Sequence, residues 1–233
     1  MLKPVFQMTS SKRIDQVQFQ PQRSQKLISG STDGLVNLYD LTQKDEDEAL
    51  IQVANHGSSI NHAGFLSASQ FFALSHDEKF SIYHVDDQEN LTDDLPPTAF
   101  GDLRPRINCE YVVDVIPSGA GEAIIGAGSH SKQELDLVAL RLTEGSWELD
   151  PYNTIRLPGA HGEEIVRSMY FDHSAHAIFT AGEDGKIKAW RTTGAVDNSE
   201  TQVEDAEVEW PRKKKKKRNS TDKGDGKGRF KPY

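Results

Sequence analysis

Short stretches in which apolar and polar residues alternate, separated by tight-turn sequences, recur along this chain. The clearest lies at 177–191, where an apolar run around Ile178 leads into the pair Asp184-Gly185. Asp-Gly favours the positive φ angles of a hairpin turn, and residues 186–190 then alternate as a strand with one buried face does. This segment predicts a β-hairpin. Because a single hairpin is only marginally stable in water, it also predicts partners of the same kind.

Similar hairpins recur upstream, at 27–40 and 72–84, and a looser copy is expected at 122–140. The turn aspartates stand at positions 33, 77 and 184, so the spacings are 44 and 107 residues, and the longer spacing leaves room for the looser copy. One more predicted strand precedes each hairpin; these strands cover 14–19, 60–65, 111–116 and 165–171. A period of roughly 40–45 residues with paired strands in each unit is typical of propeller blades. The period therefore predicts an all-β propeller.

Three blocks of this chain resemble WD repeats in order and spacing: SGSTDGLVNLYDL, SHDEKFSIYHV and HGEEIVRSMYFDHSAHAIFTAGEDGKIKAW. The resemblance covers most of 1–191 and implies an all-β WD-repeat β-propeller with about four blades. Those blades are expected at about 8–54, 56–100, 101–157 and 158–191. Proteins of this family are usually seven-bladed propellers. The resemblance thus implies that the chain corresponds to the C-terminal part of such a propeller.

Residues 2–7 form a predicted outer strand with two alternative roles. In one, the strand closes the last blade, for which no outer strand is predicted after Trp190. In the other, it completes a preceding blade, and the four blades form an arc with open edges. The seven-bladed pattern of the family favours the arc. Elsewhere, an acidic loop is expected at 43–48, and no regular structure is expected around 90–97, where Pro96-Pro97 restricts the backbone.

Composition and charge narrow the class of protein. The 233 residues are 36% hydrophobic, enough for one sizeable core, and the single cysteine, Cys109, excludes internal disulfides. No apolar run approaches the ~18 residues that span a bilayer, so a soluble intracellular protein without a membrane partner is expected. The net charge of −9 is uneven: residues 212–233 carry eleven Lys and Arg against two Asp, whereas 1–211 carry 16 cations and 34 carboxylates. This asymmetry predicts two kinds of partner.

Residues 192–233 are predicted to form a disordered tail, first acidic and then basic, because they contain too few apolar residues to offset the entropy cost of ordering. A run of seven cations follows Pro211: Arg212, Lys213, Lys214, Lys215, Lys216, Lys217 and Arg218. Such a run fits the acidic groove of a nuclear-import receptor, and it also fits contact with an RNA or DNA backbone through counterion release. No aromatic residues interleave it, so base stacking is not predicted. Import is the first expectation, nucleic-acid contact the second and a solubilising tail the third.

Four residues of the last repeat occupy the positions that form a hydrogen-bonded structural tetrad in WD repeats: His161, Thr180, Asp184 and Trp190. The same residue types also fit a Thr-His-Asp nucleophilic triad. The structural role is favoured, because the positions change from blade to blade. Blade two has Ala73 at the hydroxyl position, and blade one has Ser10 in place of the histidine. Such replacement of residues from one repeat to the next is ordinary in a scaffold and unusual in an active site.

The spacing of the remaining candidate residues argues against metal binding and against a phosphate-binding loop. His130, His173 and His176 do not form an HExxH helix, and no cysteine pair exists, so neither a metal nor another cofactor is expected. Residues 182–186 lack the spacing and the following helix of a phosphate-binding loop. The sequence therefore predicts a non-enzymatic scaffold for protein partners in the nucleus, with the cytoplasm as a second location. The alternative is a nucleic-acid or ribonucleoprotein-associated factor that binds through the basic tail.

Overall fold

The computed structural model describes residues 13–21, 25–86 and 95–191. These residues all fall in one unit of the chain, Met1–Thr193; a second unit, Gly194–Tyr233, lies outside the described residues. The expected outer strand at 2–7, Ser10 and the whole predicted tail with its cation run at 212–218 lie outside them as well. The described part contains fifteen strands and two short helices. Neither helix is long and apolar enough to cross a bilayer.

Four antiparallel sheets follow one another along the chain, and each of them is one blade. Blade 1 comprises β1 (Ile14–Phe19), β2 (Lys26–Ser31), β3 (Leu35–Asp40) and β4 (Leu50–Asn55). Blade 2 comprises β5 (Ile60–Phe65), β6 (Gln70–Ser75), β7 (Lys79–His84) and β8 (Thr98–Asp102). Blade 3 comprises β9 (Tyr111–Gly119), β10 (Glu122–Ser129), β11 (Glu134–Thr143) and β12 (Ser146–Pro158). Blade 4 comprises β13 (Val166–Asp172), β14 (Ala177–Gly182) and β15 (Ile187–Arg191).

The two helices lie in connections that the sequence pattern did not resolve. Helix α1 (Glu46–Ala49) overlaps the acidic loop expected at 43–48. Helix α2 (Arg104–Ile107) separates blades 2 and 3, so blade 2 extends through β8 to residue 102 and the sheet of blade 3 begins only at 111. Pro105 lies in the first turn of α2, where its fixed φ and missing N–H are tolerated. The period of the hairpins carries no information about such short inserted turns.

The hairpin turns use the backbone conformation that the Asp-Gly pairs predict. Gly34 in blade 1 has a φ of +86° and Gly185 in blade 4 has a φ of +72°. In blade 2 the corresponding residue is Glu78, whose φ is +62°. A side chain in this left-handed region is uncommon because its Cβ approaches the backbone too closely. The blade 2 turn therefore keeps the hairpin geometry at a conformational cost.

The hydrophobic core is divided among the contacts between neighbouring blades. One buried cluster joins blades 1 and 2 around Phe65, a second joins blades 2 and 3 around Phe80, and a third joins blades 3 and 4 around Leu135. These side chains are 1%, 0% and 0% exposed. Burying a side chain of this size stabilises a fold by about 1.5–3 kcal/mol. The first strands of successive blades also contact one another, β1 with β5, β5 with β9 and β9 with β13. Each blade is thus stabilised by its neighbours, as in other repeat proteins.

Candidate functional site

One edge of the blades gathers the turns between second and third strands together with the loops that enter and leave each blade. We call this edge the turn rim. Backbone hydrogen bonds join turn and entering loop in all four blades: Thr32 N–H to Arg13 O, His76 N–H to Ser59 O, Glu110 N–H to Gly128 O and Glu183 N–H to Ile165 O. Their donor–acceptor distances of 2.8–3.0 Å are those of well-formed bonds. The rim therefore has a defined backbone geometry in every blade.

The loops that leave the first three blades are joined to the same turns. These bonds run from His56 N–H to Gly34 O, from Leu103 N–H to Glu78 O and from Gly159 N–H to Gln133 O, each at 2.9–3.0 Å. A rim held on both sides loses little conformational entropy when a partner binds, which favours recognition by preformed surfaces. In blades 2, 3 and 4, side-chain hydrogen bonds also join the turn to a neighbouring loop, and we call each such set of bonds a tie.

The blade 4 tie brings together the four residues of the predicted tetrad. His161 Nδ1 lies 2.7 Å from Asp184 Oδ1, and His161 Nε2 lies 2.8 Å from Thr180 Oγ1. The Trp190 indole N–H donates to Thr180 Oγ1 at 2.9 Å. Because the ionised carboxylate only accepts, His161 donates from Nδ1 and accepts the Thr180 hydroxyl proton at Nε2. The chain of hydrogen bonds runs continuously from the entering loop to the last strand.

The same geometry argues against nucleophilic catalysis by Thr180. The side chain is 1% exposed and His161 is 2% exposed, so a substrate carbonyl has no access to the hydroxyl oxygen. That oxygen already accepts the Trp190 N–H. A catalytic triad needs space for a reacting atom beside the nucleophile and a separate set of oxyanion donors. The buried arrangement fits a structural network instead, in which every polar group is satisfied.

Close packing fixes the His161 ring in this network. His161 has a φ of +57°, and a Cβ added at Gly182 would lie 2.6 Å from its ring. Only glycine at position 182 therefore leaves room for the imidazole. Burial of Asp184 acts to raise its pKa, but the hydrogen bonds from His161 and from the Lys186 backbone N–H outweigh burial, and the pKa is lowered. The carboxylate is ionised at neutral pH and orients the imidazole.

Blade 2 forms its tie with different pairings. His56 Nδ1 contacts the Tyr83 hydroxyl at 3.1 Å and Nε2 contacts Lys79 O at 3.1 Å, so the histidine bypasses the missing hydroxyl at Ala73. Asp77 instead accepts from Ser75 Oγ at 2.5 Å and pairs with the Lys79 ammonium at 2.8 Å. Hydrogen bonds from Lys79 and then Ser75 lower the pKa of Asp77 to about 2.

Blade 3 carries a tie that the sequence reasoning missed. Glu110, in the entering loop, accepts from the backbone N–H groups of His130 at 3.0 Å and Ser131 at 3.2 Å. Its carboxylate also contacts the side chains of both residues, which lowers its pKa to about 2, the Ser131 bond contributing most. The acid and the histidine have thus exchanged places relative to blade 4. A search for an acid in the turn and a histidine in the loop could not find this pair, although a search for either order could.

Glu78 is a second residue that the sequence reasoning missed. It is 8% exposed, and its Oε2 accepts from the backbone N–H of Val112, in blade 3, at 3.2 Å. Burial raises its pKa to about 7, against the opposing effects of that N–H and of the Arg104 charge. The strained turn residue therefore connects blade 2 to blade 3. Its position three residues after Ser75, the last residue of β6, gives no sequence signal for burial.

The described residues contain no group of histidine, cysteine or acidic side chains that could hold a metal ion. His173 packs edge-on against Phe171, with ring centroids 4.6 Å apart. A cleft of about 330 Å³ lies between the outer parts of blades 1 and 2, beside Ile51, Tyr83 and Leu95. It contains no member of the blade 4 tetrad. We therefore regard the turn rim as the candidate functional surface.

Comparison with known proteins agrees with this architecture. The model of the WD domain, G-beta repeat, matches residues 152–191, which include the whole tetrad. The chain is a WD-repeat propeller. An uncharacterized WD repeat-containing protein of Saccharomyces cerevisiae is 33% identical to it, with 93% of this chain and 61% of the yeast protein covered. A second uncharacterized WD repeat-containing protein, from Schizosaccharomyces pombe, is 31% identical over 76% of this chain and 55% of that protein.

The propeller also resembles the WD repeat-containing protein 89 homolog of Dictyostelium discoideum, at 28% identity over 83% of this chain and 53% of that protein. It thus spans between half and three-fifths of the length of these relatives. Among solved structures, the computationally designed Ika4 protein has a TM-score of 0.51 and 12% identity, covering 82% of this chain and 99% of the designed one. That likeness concerns the fold alone. WD-repeat propellers are generally non-enzymatic scaffolds for protein interactions.

Proposed function

We propose that this propeller is a non-catalytic scaffold that binds protein partners through its turn rim. The observation that carries the proposal is the double attachment of the rim, in which blades 1 to 3 bond each turn to both the entering and the leaving loop. Such a surface is preorganised, and its exposed side chains offer both signs of charge. The pairs Lys79–Asp77, Arg104–Asp102 and Arg167–Glu183 all lie along it. Mixed charge of this kind gives partner specificity more than affinity.

The tetrad takes a structural role in this proposal. His161, Thr180, Asp184 and Trp190 hold the rim of blade 4 in place and do not react with a substrate. Burial of Thr180 and His161 supports this role, as does the replacement of the same network by other pairs in blades 2 and 3. Interchangeable ties suit a scaffold, because any satisfied polar network stabilises a loop.

Affinity capture tests the scaffold role. The full chain and a version lacking 205–233 would each be used to capture proteins from an extract, with quantification of the bound proteins by mass spectrometry. We expect a set of specific partners that both versions retain, because the rim lies within the described blades. Loss of every specific partner with the shortened chain, or the absence of any partner for the blades, would contradict the proposal.

We further propose that the propeller acts in the nucleus and that the cation run at 212–218 binds an import receptor. The support is the sequence of the run itself, seven consecutive cations after a proline. A fluorescently tagged chain should accumulate in the nucleus, and deletion of 211–218 should redistribute it to the cytoplasm. Replacement of the run by an equally long Gly/Ser segment controls for tail length. Nuclear accumulation that is unchanged by deletion would refute the import role.

A second candidate function is supported by the same run. Consecutive cations release counterions from nucleic-acid phosphates, so the run also suits binding of RNA or DNA in a ribonucleoprotein. Fluorescence anisotropy with labelled RNA would then show affinity that falls steeply with salt concentration. Replacing Lys213–Lys217 with alanine should abolish that affinity. Binding that is absent, or that does not depend on salt, would remove this candidate.

A further inference from the structure

Blade 4 presents an exposed apolar face on the side away from blade 3. Tyr170 is 64% exposed and Ile187 is 67% exposed. The strand registers place Tyr170 opposite Phe179, and Ile187 opposite Ala181, so these four residues share one face of the sheet. We call it the leading face of blade 4. The other face of the same sheet, with Met169, packs in the core cluster between blades 3 and 4.

The positions that correspond to Ile187 in blades 1 and 2 are fully buried. The strand registers equate Ile187 with Val36 in blade 1 and with Phe80 in blade 2, since each of the three is the partner of the same position on its second strand. Val36 is 1% exposed and Phe80 is 0% exposed, because the next blade covers each of them. The leading face of blade 4 is thus built like a blade-to-blade contact that lacks its second half.

Blade 1 presents the complementary half. Val17 and Phe19 in β1 are each 56% exposed on the side away from blade 2. The registers equate them with Ala63 and Phe65 in β5, which are each 1% exposed because blade 1 covers them. We call this surface the trailing face of blade 1. The described blades therefore carry one uncovered leading face and one uncovered trailing face.

We propose that the leading face of blade 4 binds the trailing face of blade 1 of a second copy of this chain, and reciprocally. Leading and trailing faces already meet three times within the chain, through its three core clusters, so the new contact would continue an interface of known composition. Two copies related by a two-fold axis would satisfy both free faces with two equivalent contacts and close the ring. The product would have eight blades, within the range of about 4–8 that propellers adopt.

Polar groups at the edges of these faces are compatible with the contact. In blade 1, the side chains of Gln16 and Gln18 cross to blade 2 and accept from the backbone N–H groups of Ala63 at 2.8 Å and Phe65 at 3.1 Å. The registers place Tyr170 of blade 4 at the position of Gln18. The Tyr170 hydroxyl would therefore approach the backbone of β1 in the second copy, near Phe19. The bond would resemble the one that Gln18 forms with the backbone of blade 2.

The internal contact supplies the geometry for a cross-linking test. A Cβ built on Gly30 in blade 1 lies 3.5 Å from the Cβ of Ala63 in blade 2, a separation that a disulfide can span. The registers equate Gly30 with Ala181 and Ala63 with Val17. A disulfide between Ala181→Cys in one copy and Val17→Cys in the other would thus report the proposed contact.

Full-length single variants, V17C and A181C, would be purified separately, mixed and oxidised under mild conditions. We expect a cross-linked species of twice the monomer mass in the mixture and none from either variant alone. The separate samples control for the native Cys109, whose pKa burial raises to about 12, leaving little reactive thiolate. Absence of the cross-link in the mixture, at concentrations up to roughly 100 times the working range, would overturn the proposal.

The double variant V17C/A181C distinguishes two copies from closure within one chain. A disulfide in a species of dimer mass supports the proposal, whereas a disulfide in a species of monomer mass overturns it. Sedimentation equilibrium of the unmodified chain gives an independent reading. We expect a concentration-dependent dimer, weakened at least about tenfold by Ile187→Asp, which places a charge in the buried contact.

Ile155→Asp is the matched control for that substitution. Ile155 is 47% exposed on β12, away from both proposed faces. The dimer should be unchanged by it, since the residue gains no contact in the proposed ring. A chain that stays monomeric at every concentration, or a dimer that is equally weakened by both substitutions, would contradict the assignment.

Discussion

Thr180 is the residue on which the structural role of the blade 4 tetrad depends, because it joins the histidine to the tryptophan. We predict that Thr180→Val lowers the free energy of unfolding by about 2–3 kcal/mol. The substitution keeps the side-chain shape but leaves the half-buried Trp190 N–H and the buried His161 Nε2 without partners, and a buried group without a partner costs about 1–3 kcal/mol. Urea denaturation of both proteins measures the change.

Thr143→Val provides the control for this prediction. Thr143 is exposed at the end of β11, so the same chemical change there should alter stability by less than about 0.5 kcal/mol. If Thr180→Val were no more destabilising than this control, the tetrad would not stabilise blade 4, and the structural assignment would lose its basis.

The raised pKa of Glu78 leads us to predict that the stability of the fold depends on pH. Its folded pKa is raised to about 7 from a usual value near 4.5, chiefly by burial. Between these two values the unfolded chain has released the proton while the folded chain still holds it, so this group makes stability fall as pH rises from about 4.5 to about 7. Glu78→Gln keeps a carbonyl acceptor for the Val112 N–H and removes the titration. We expect it to stabilise the fold by on the order of 2 kcal/mol at pH 8.

The decisive comparison is the difference between Glu78→Gln and the unmodified protein at pH 5 and at pH 8. Thermal unfolding should show a clear gain at the higher pH and nearly none at the lower one. The control is Glu148→Gln, an exposed carboxylate on β12, for which we expect no difference between the two pH values. A gain for Glu78→Gln that is equal at both pH values would show that Glu78 is not protonated in the folded state near neutrality.

At the scale of the element, the strands and turns of each blade could be predicted from the sequence. The side-chain hydrogen bonds that join a turn to its neighbouring loops could mostly not be predicted. The alternation around Ile187 and the Asp-Gly turns identified the hairpins, because strand periodicity and positive φ leave direct marks in the sequence. The four residues of the blade 4 tetrad could also be identified from the positions that they occupy in the repeat. The Glu110–His130 pair and the buried Glu78 were not, because both depend on contacts between distant residues whose types are ordinary for exposed turns.

Contacts between blades were equally hidden from the sequence. Trp147, in the third blade, donates its indole N–H to Gln70 Oε1 in the second at 3.0 Å, and both residues are buried. Trp147 lies near the start of the outer strand β12, and its local sequence gives no sign that its side chain reaches an amide 77 positions away. Sequence periodicity specifies which face of a strand is buried, whereas the identity of the partner requires the relative placement of the blades.

Trp147→Phe tests how strongly this bond couples the two blades. We predict a loss of unfolding free energy of about 2–3 kcal/mol, from reduced burial and from the Gln70 carbonyl left without a donor. Combined with Gln70→Leu, the loss should be smaller than the sum of the two single losses, which a double-mutant cycle by urea denaturation would reveal. Strict additivity would mean that the hydrogen bond does not link blades 2 and 3. Tyr152→Phe, at a fully exposed position, controls for loss of an aromatic polar group.

At the scale of the whole molecule, the blades form an ordered series in which each contact repeats the last. Stability in such an array comes mainly from contacts between neighbours, so the uncovered faces of blades 1 and 4 and the fixed turn rim are separate surfaces. The uncovered faces are apolar and suit another blade. The turn rim is polar, rigid and charged, and suits a protein partner. The cation run at 212–218 adds a third capacity, proposed from the sequence alone.

The most direct measurement of the scaffold account is partner binding after charge exchange on the turn rim. Lys132 and Glu163 are exposed rim residues in the blade 3 turn and the loop that enters blade 4. The variant K132E/E163K keeps the net charge and alters only the rim pattern, and K44E/E144K makes the same exchange in exposed turns at the opposite edge. Quantitative capture should show specific partners reduced at least about tenfold by the rim variant and unchanged by the control. Equal binding by both variants, with stability intact, would contradict the claim that this rim is where the propeller binds its partners.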